Sequence, residues 1–202
     1  MHQELLLKDR RHSSSMPSLY SLVGTGVTIV RPYTYRPLTA EDGTAWATLR
    51  MEGARDFPLG FLISADEAES MTSEKARSVL SNGTTRGVFD GPHLVGYCGL
   101  RRETLERTRH RAEIGPFYVT SAHQGCGAAR VLMDGVVSEA RSQGIEQLEL
   151  FVDVGNARAL AFYERQGFEP ISIHPDGVRI CGEPRDAHFC ILRPIPSTPA
   201  SA

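Results

Sequence analysis

The sequence predicts an α/β fold, a single domain with helices flanking a mixed central β-sheet in the order βααβββαβαββ. Three observations carry this. Runs of strand period recur between runs of helix period, as where Leu148, Leu150 and Val152 alternate with Glu149, Phe151 and Asp153. Helix starts carry capping residues, such as Ser64 followed three residues later by Glu67. A glycine turn, Gln124-Gly125-Cys126-Gly127, joins a strand-like run to an amphipathic helix. A chain of 202 residues, 41% of them hydrophobic, can bury one substantial core.

In chain order, residues 1–32 mix Ser, Arg and Gly without a clean period and read as a loosely ordered extension, with Leu19–Val30 as an extra strand the alternative. The domain spans 33–194. It starts with a strand at Tyr33–Leu38, then a helix from the N-cap Thr39 through Arg50. Ser64 opens a second helical region that ends near Leu80, with a possible break at Thr72-Ser73. Thr84–Asp90 and His93–Arg102 read as a hairpin turning at Asp90-Gly91-Pro92. Arg109–Val119 is the next strand, and Pro116, which cannot donate to a ladder, predicts a bulge or a parting of neighbours.

After the glycine turn, Ala128, Val131, Leu132, Gly135, Val136 and Ala140 form the stripe of a helix lying on a sheet. A strand at Gln147–Asp153 and a helix from Asn156 to Gly167 follow, Gly167 being the left-handed residue after the helix and Phe168 its hydrophobic partner. Phe168–Ile173 and His188–Arg193 close the sheet, and residues 195–202 form a tail.

Composition excludes several classes. Net charge is −2, so no bulk basic field exists for nucleic acid. No run approaches 18 apolar residues, so no membrane span is expected. Charge follows directly on Leu5–Leu7, unlike a secretory signal, and the chain reads as cytoplasmic. Cys98, Cys126, Cys181 and Cys190 contain no C-x-x-C and read as free thiols. The seven histidines lack metal-ligand spacing, so no metal is expected. Lys8 and Lys75 sit in no motif, which argues against P-loop and Schiff-base chemistry.

Strand, glycine loop and helix together make an anion cradle. Glycines let the backbone approach closely, and the first N–H groups of the helix point at the ligand. A dinucleotide loop would want a third glycine where Arg130 stands, and it would follow the first strand of the fold. Some thirty residues on comes Asn156-Ala157-Arg158-Ala159-Leu160-Ala161-Phe162-Tyr163-Glu164-Arg165-Gln166-Gly167-Phe168. The two segments, in this order and at this distance, resemble the GNAT superfamily of acyl-CoA-dependent N-acetyltransferases. The first matches its Q/R-x-x-G-x-G/A loop, the second its N-x-x-A-x-x-x-Y-x-x-x-G-F helix. The resemblance covers roughly Tyr35–Arg193 and is most specific over Ala112–Phe168.

The resemblance implies acetyl-CoA as co-substrate, held by Phe117, Val119, Gln124, Gly125, Cys126, Gly127, Ala128, Ala129, Arg130, Asn156 and Tyr163. Gln124 and Cys126 are neutral where the family often carries a cation, leaving Arg130 and His123 as the nearby basic groups. Tyr163 falls where the family places a hydrogen-bond donor to the CoA sulfur; helical spacing alone would make it core. Asn156 falls at a pantetheine contact and is also a good helix N-cap. Glu113, eleven positions before Gln124 in Ala112-Glu113-Ile114, matches a base glutamate of the histone acetyltransferase branch. The plainer alternative is a solvated glutamate paired with Arg101, Arg102 or Arg111. His110 is a weaker second candidate. By strand alternation Glu113, Gly115, Phe117 and Val119 share one face unless Gly115-Pro116 changes the phase.

The function implied is acetyl transfer from acetyl-CoA to a primary amine of a small molecule or peptide, with a non-catalytic acyl-CoA-binding or regulatory domain as the alternative. Oligomeric state, monomer or homodimer, stays open. Acceptor choice is assigned to Met51–Leu62, the two following helices and Pro175–Asp186, with Glu52 and Asp56 as groups able to hold a cationic amine. Cys126, at a helix N-terminus, is expected to react before Cys98, Cys181 and Cys190, which sit in expected strands or ahead of one; the alternative is a Cys126 that points into the fold and is inert.

Overall fold

The computed structural model describes residues 33–195. The expected extension over 1–32 and, but for Ile195, the expected tail lie outside the described residues. Those residues form a seven-stranded mixed sheet of order β1-β2-β3-β4-β5-β7-β6 with helices on both faces.

β1 (Tyr33–Pro37) leads through a 3-10 turn into α1 (Gly43–Asp56). The Thr39 N–H donates to the Asp42 carboxylate at 2.8 Å, which closes the entry to the helix. α1 ends six residues beyond the expected Arg50, because the apolar side of the helix carries on through the buried Gly53 and Ala54. The second helical region does break, into α2 (Ala65–Glu69) and α3 (Ser73–Leu80). Each half has its own cap: Glu67 N–H donates to Ser64 Oγ at 3.1 Å, and Lys75 N–H to Thr72 Oγ1 at 3.2 Å.

β2 (Thr85–Asp90), β3 (His93–Arg102) and β4 (Arg111–Val119) form an antiparallel meander. α4 (Ala128–Ser142) then crosses to β5 (Gln147–Asp153), which runs parallel to β4. α5 (Ala157–Arg165) precedes the hairpin of β6 (Glu169–Ile180) and β7 (Glu183–Leu192). α4 and α5 cover one face, where Leu132, Met133, Val136 and Tyr163 pack on Ile114, Leu148 and Leu150. Met133 and Val137 are buried, so the seated stripe of α4 lies slightly round the helix from the one expected. α1 and α3 cover the other face through Trp46, Leu49, Ala76 and Leu80, against Phe89, Tyr97 and Tyr118.

The closing hairpin is far longer than the two short strands expected. Pro170, Pro175, Gly177 and Pro184 interrupt any sequence-level strand pattern. Those on β6 are tolerated because β6 pairs only with β7 and is an edge strand, where half the N–H groups need no partner, and Pro184 of β7 lies beyond Ala187, where the pairing of β7 with β5 ends. Between His174 and Val178 the register jumps, four residues of β6 advancing against two of β7 (Ala187 to Arg185). Cys181 (φ 52°) and Gly182 (φ 85°) make the two-residue turn, whose paired positive φ values suit the twist of the strands.

A buried ion pair fastens α4 to the first two strands. Arg86 bonds both carboxylate oxygens of Glu139, at 2.7 and 2.5 Å. Tyr35 Oη donates to the same carboxylate at 2.6 Å and Gln143 Nε2 at 2.8 Å. Burial alone would push the Glu139 carboxyl up, but the bonds from Arg86, Tyr35 and Gln143 outweigh it and hold the group below its ordinary pKa.

Candidate active site

The site opens where two neighbouring strands part. β4 and β5 pair only from Arg111↔Gln147 to Glu113↔Glu149. Beyond that point β4 carries one extra residue relative to β3: Cys98 faces Phe117, but Leu100 faces Ile114. The bulge brings the Gly115 carbonyl against Gly99, where a Cβ would lie 2.1 Å from that oxygen, so only glycine fits there. It also reverses the alternation. Ala112, Ile114 and Val119 belong to the α4 core and Tyr118 to the α1 core, so Glu113, Gly115, Phe117 and Val119 do not share one face. The extra residue at Gly115-Pro116 is the physical reason.

Past the bulge the backbone of β4 faces open space. Thr120 N–H bonds Val95 O on β3 at 2.9 Å, so by alternation Phe117 and Val119 turn their backbone groups toward the gap. The Val119 carbonyl is taken by Gln124 Nε2 at 2.8 Å, which fixes the base of the glycine loop. Gly125 (φ 74°) and Gly127 (φ 94°) are left-handed, and the space where each Cβ would stand is open. The loop delivers the chain to α4, whose first N–H groups lack intrahelical acceptors. Such a cradle fits a pyrophosphate.

Two cavities adjoin here. The first, about 650 Å³, is lined by Phe117, Val119, Gln124, Gly125, Gly127, Ala129, Arg130, Asn156 and Tyr163 of the expected cofactor set. Cys126 and Ala128 do not line it: Ala128 is fully buried in the core and Cys126 is exposed beside the loop. His123 is tied away from it, with Nδ1 3.0 Å from Thr120 Oγ1 and Nε2 3.3 Å from Asp90. Arg158 and Arg165 of α5, which the motif reading passed over, also line it and are exposed. Their signal is present in the sequence, as two cations about two turns apart on one face of the Asn156 helix.

The second cavity, about 640 Å³, lies between α1, the Pro58–Ile63 segment, the end of β5 and the β6–β7 hairpin. Glu113 lines it, yet its carboxylate is paired with Arg101, one of the three partners that the plainer reading named. His110 lines neither cavity. Of the regions assigned to acceptor choice, Pro58–Leu62 and several residues of 177–186 line the second cavity, whereas the two following helices, α2 and α3, do not reach it. Glu52 and Asp56 do not, and Glu52 instead accepts the Tyr118 hydroxyl at 2.8 Å. Arg185 grips both oxygens of Asp153, at 2.5 and 2.7 Å, joining the hairpin to β5.

Tyr163, Asn156, Phe117, Ala159, Phe61 and Gly60 line both cavities and form their junction. Asn156 caps α5, its Oδ1 accepting Ala159 N–H at 3.1 Å, so its amide NH2 remains a separate donor. α5 ends in a Schellman turn, with Phe168 N–H to Tyr163 O at 3.0 Å and Gly167 N–H to Glu164 O at 2.9 Å. That turn folds Phe168 under Tyr163, whose ring also meets Phe117 and Phe162 edge-on. Burial pushes the Tyr163 phenol well above its ordinary pKa, so the hydroxyl stays protonated. Among the described residues no cluster of His, Cys, Asp and Glu could hold a metal ion, and no helix is long and apolar enough to cross a membrane.

The acetyltransferase (GNAT) family model matches residues 46–168, which span both walls of this junction. The chain belongs to the GNAT family. Within it, the chain is 34% identical over 96 residues to a mycothiol acetyltransferase of Jonesia denitrificans, covering 48% of this chain and 30% of that protein. It is 28% identical over 138 residues to the mycothiol acetyltransferase of Propionibacterium freudenreichii, covering 61% and 44%. The chain thus spans less than half the length of these curated relatives. Among solved structures, the ribosomal-protein-alanine N-acetyltransferase of Brucella melitensis superposes with a TM-score of 0.70 at 22% identity, over 79% of this chain and 99% of that one. The Sinorhizobium meliloti phosphinothricin acetyltransferase, solved with acetyl-CoA, gives 0.69 at 15% identity, over 80% and 88%. These likenesses establish the GNAT fold.

Proposed function

We propose that this GNAT domain transfers an acetyl group from acetyl-CoA to a primary amine, directly and without a covalent enzyme intermediate. The observation that carries the reading is the junction. A cleft with an anion cradle at one end meets a second, acceptor-sized cavity at Tyr163 and Asn156. The open cradle at Gly125 and Gly127 and the free edge of β4 suit a pyrophosphate followed by an extended pantetheine arm.

Acetyl-CoA, when bound, supplies an activated thioester. The chain's part is mostly positioning. The amine nitrogen forms the new C–N bond as the C–S bond breaks; the nitrogen loses a proton and the sulfur gains one. Tyr163 donates a hydrogen bond to the departing sulfur. Its raised pKa makes it a weaker acid than a thiol, whose ordinary pKa is about 8.5. Tyr163 therefore stabilises the thiolate without surrendering its proton, and the proton that ends on sulfur comes from the amine by way of solvent.

Glu113 lines the acceptor side with one carboxylate oxygen held by Arg101, leaving the other to take or orient the amine's proton. Glu113→Gln should lower turnover most near neutral pH, and the loss should shrink as pH rises and more free amine is present. A pH-independent loss would assign Glu113 to positioning. The activity itself is tested by CoA release from acetyl-CoA on supply of an amine panel. Amine-dependent release is expected. Tight CoA binding with no release on any amine would favour the non-catalytic reading.

A further inference from the structure

The acceptor cavity carries a positive charge that no described residue answers. Arg50 stands on α1 one turn after Trp46, and both line the cavity. The other arginines there are paired, Arg101 with Glu113 and Arg185 with Asp153. Arg50 has no ion-pair partner among the described residues. Its Nη1 is sealed from solvent without a hydrogen-bond acceptor. The face of Trp46 lies 5.7 Å away, and its field reaches Glu67 and Tyr97. Glu67, however, is committed to the Ser64 N–H at 2.8 Å.

Two more unanswered polar atoms lie in the same cluster. Trp46 Nε1 and Tyr97 Oη are sealed without partners, with their rings 6.0 Å apart edge to face. Trp46 is only 5% exposed and Tyr97 1%. A desolvated guanidinium nitrogen and an indole N–H without acceptors are each unfavourable, and together they mark where an incoming group would relieve the cost. Arg50 as a whole is half-buried, so part of its side chain still meets open space.

We propose that the acceptor is a small amine that also carries a carboxylate, and that Arg50, backed by Trp46, binds that carboxylate. The inference rests on the transfer reaction proposed above. A guanidinium meets a carboxylate with two parallel hydrogen bonds, which fixes orientation as well as charge. One cavity holds Arg50 on the α1 wall and Glu113 and Tyr163 on the β4 and α5 walls. A bound amino acid would then lie with its carboxylate at α1 and its amine toward the junction. The volume of about 640 Å³ is that of a small-molecule site.

The test is calorimetric titration of the CoA-saturated protein with N-acetylated amino acids and with their uncharged amides. The free acids should bind roughly tenfold or more tighter than the amides. Arg50→Gln should bring the two within about twofold of each other while leaving CoA affinity unchanged, and Arg50→Lys should restore part of the preference. Kinetically, the loss in Arg50→Gln should appear in KM for acidic amines and not for their amides. No detectable binding of the acids, equal binding of acids and amides, or a preference that survives Arg50→Gln would overturn the proposal. An acid preference without acetyl transfer to any amine would instead overturn the proposed activity and leave the carboxylate site standing.

Discussion

Tyr163→Phe separates a chemical role for this side chain from a packing one. The substitution keeps the ring, and with it the contacts to Phe117, Phe162 and Phe168 at centroid distances of 6.1, 5.3 and 5.7 Å. The hydroxyl makes no hydrogen bond to a described residue, so its removal leaves no protein group unpaired, and stability should shift by no more than about 0.5 kcal/mol. What is lost is one neutral donor to a nascent thiolate, worth about 1.5–3 kcal/mol in a charge-assisted bond, or about 10- to 150-fold in rate. The bond forms fully only as the sulfur leaves. Turnover and kcat/KM should therefore fall together, with little change in acetyl-CoA affinity. Steady-state kinetics beside a thermal melt reads both quantities. Because burial raises the phenol's pKa, the wild-type rate should show no decline from tyrosine ionisation near pH 10. Turnover of Tyr163→Phe within twofold of wild type would refute the argument and return Tyr163 to the core.

Three further predictions test other parts of the account. Gly127→Glu should largely abolish acetyl-CoA binding by calorimetry through bulk and charge at the cradle. Gly127→Ala, which meets the same left-handed φ of 94° without the charge, should retain more affinity, and equal losses would assign the effect to backbone strain. Cys126 and Cys181 are exposed while Cys98 and Cys190 are buried, so timed alkylation should label the first two. Bound acetyl-CoA should slow labelling of Cys126 and leave Cys181 unchanged; equal slowing of both would point to a general conformational effect. Glu139→Gln should cost about 3 kcal/mol by leaving Arg86, only 7% exposed, without its charge partner. Since the folded carboxyl titrates below its ordinary value, its contribution is full above about pH 4.3 and is lost as pH falls through the folded pKa. The acid limb of stability against pH should thus be shallower in Glu139→Gln, and an unchanged limb would contradict the assignment.

Local features of the site could be read from the sequence, and those that depend on distant pairing could not. The Gly125–Gly127 loop, the Asn156 cap and the Gly167-Phe168 turn are short-range devices whose residue types announce their backbone conformations. The reach of α1 past Arg50 was missed because buried Gly53 reads as punctuation when its neighbours are unknown. The β6–β7 hairpin reads as shorter because its prolines and glycines signal turns, and only the edge position of β6, with the end of β5 pairing at Ala187 of β7, makes them acceptable in a strand. Cys181 is exposed for the same reason, since it occupies the hairpin turn and not the approach to a strand. Pro116 announced an interruption, yet the consequence for Glu113 depends on the register of β3 against β4. The Arg86–Glu139 pair joins residues 53 positions apart, and nothing local marks either as buried. Arg50 shows the same limit: it reads as a surface helix arginine until the hairpin closes a cavity in front of it.

The most direct test of the central claim is a crystal structure of the protein with acetyl-CoA. The pyrophosphate should sit on the N–H groups of the loop that leads into Ala128 and its helix. The pantetheine should run along the free edge of β4 beside Phe117 and Val119, with the thioester sulfur within hydrogen-bond distance of Tyr163 Oη. The acetyl group should face the cavity that holds Glu113 and Arg50. A ligand seated away from the loop, or a thioester turned from Tyr163 and the second cavity, would contradict it.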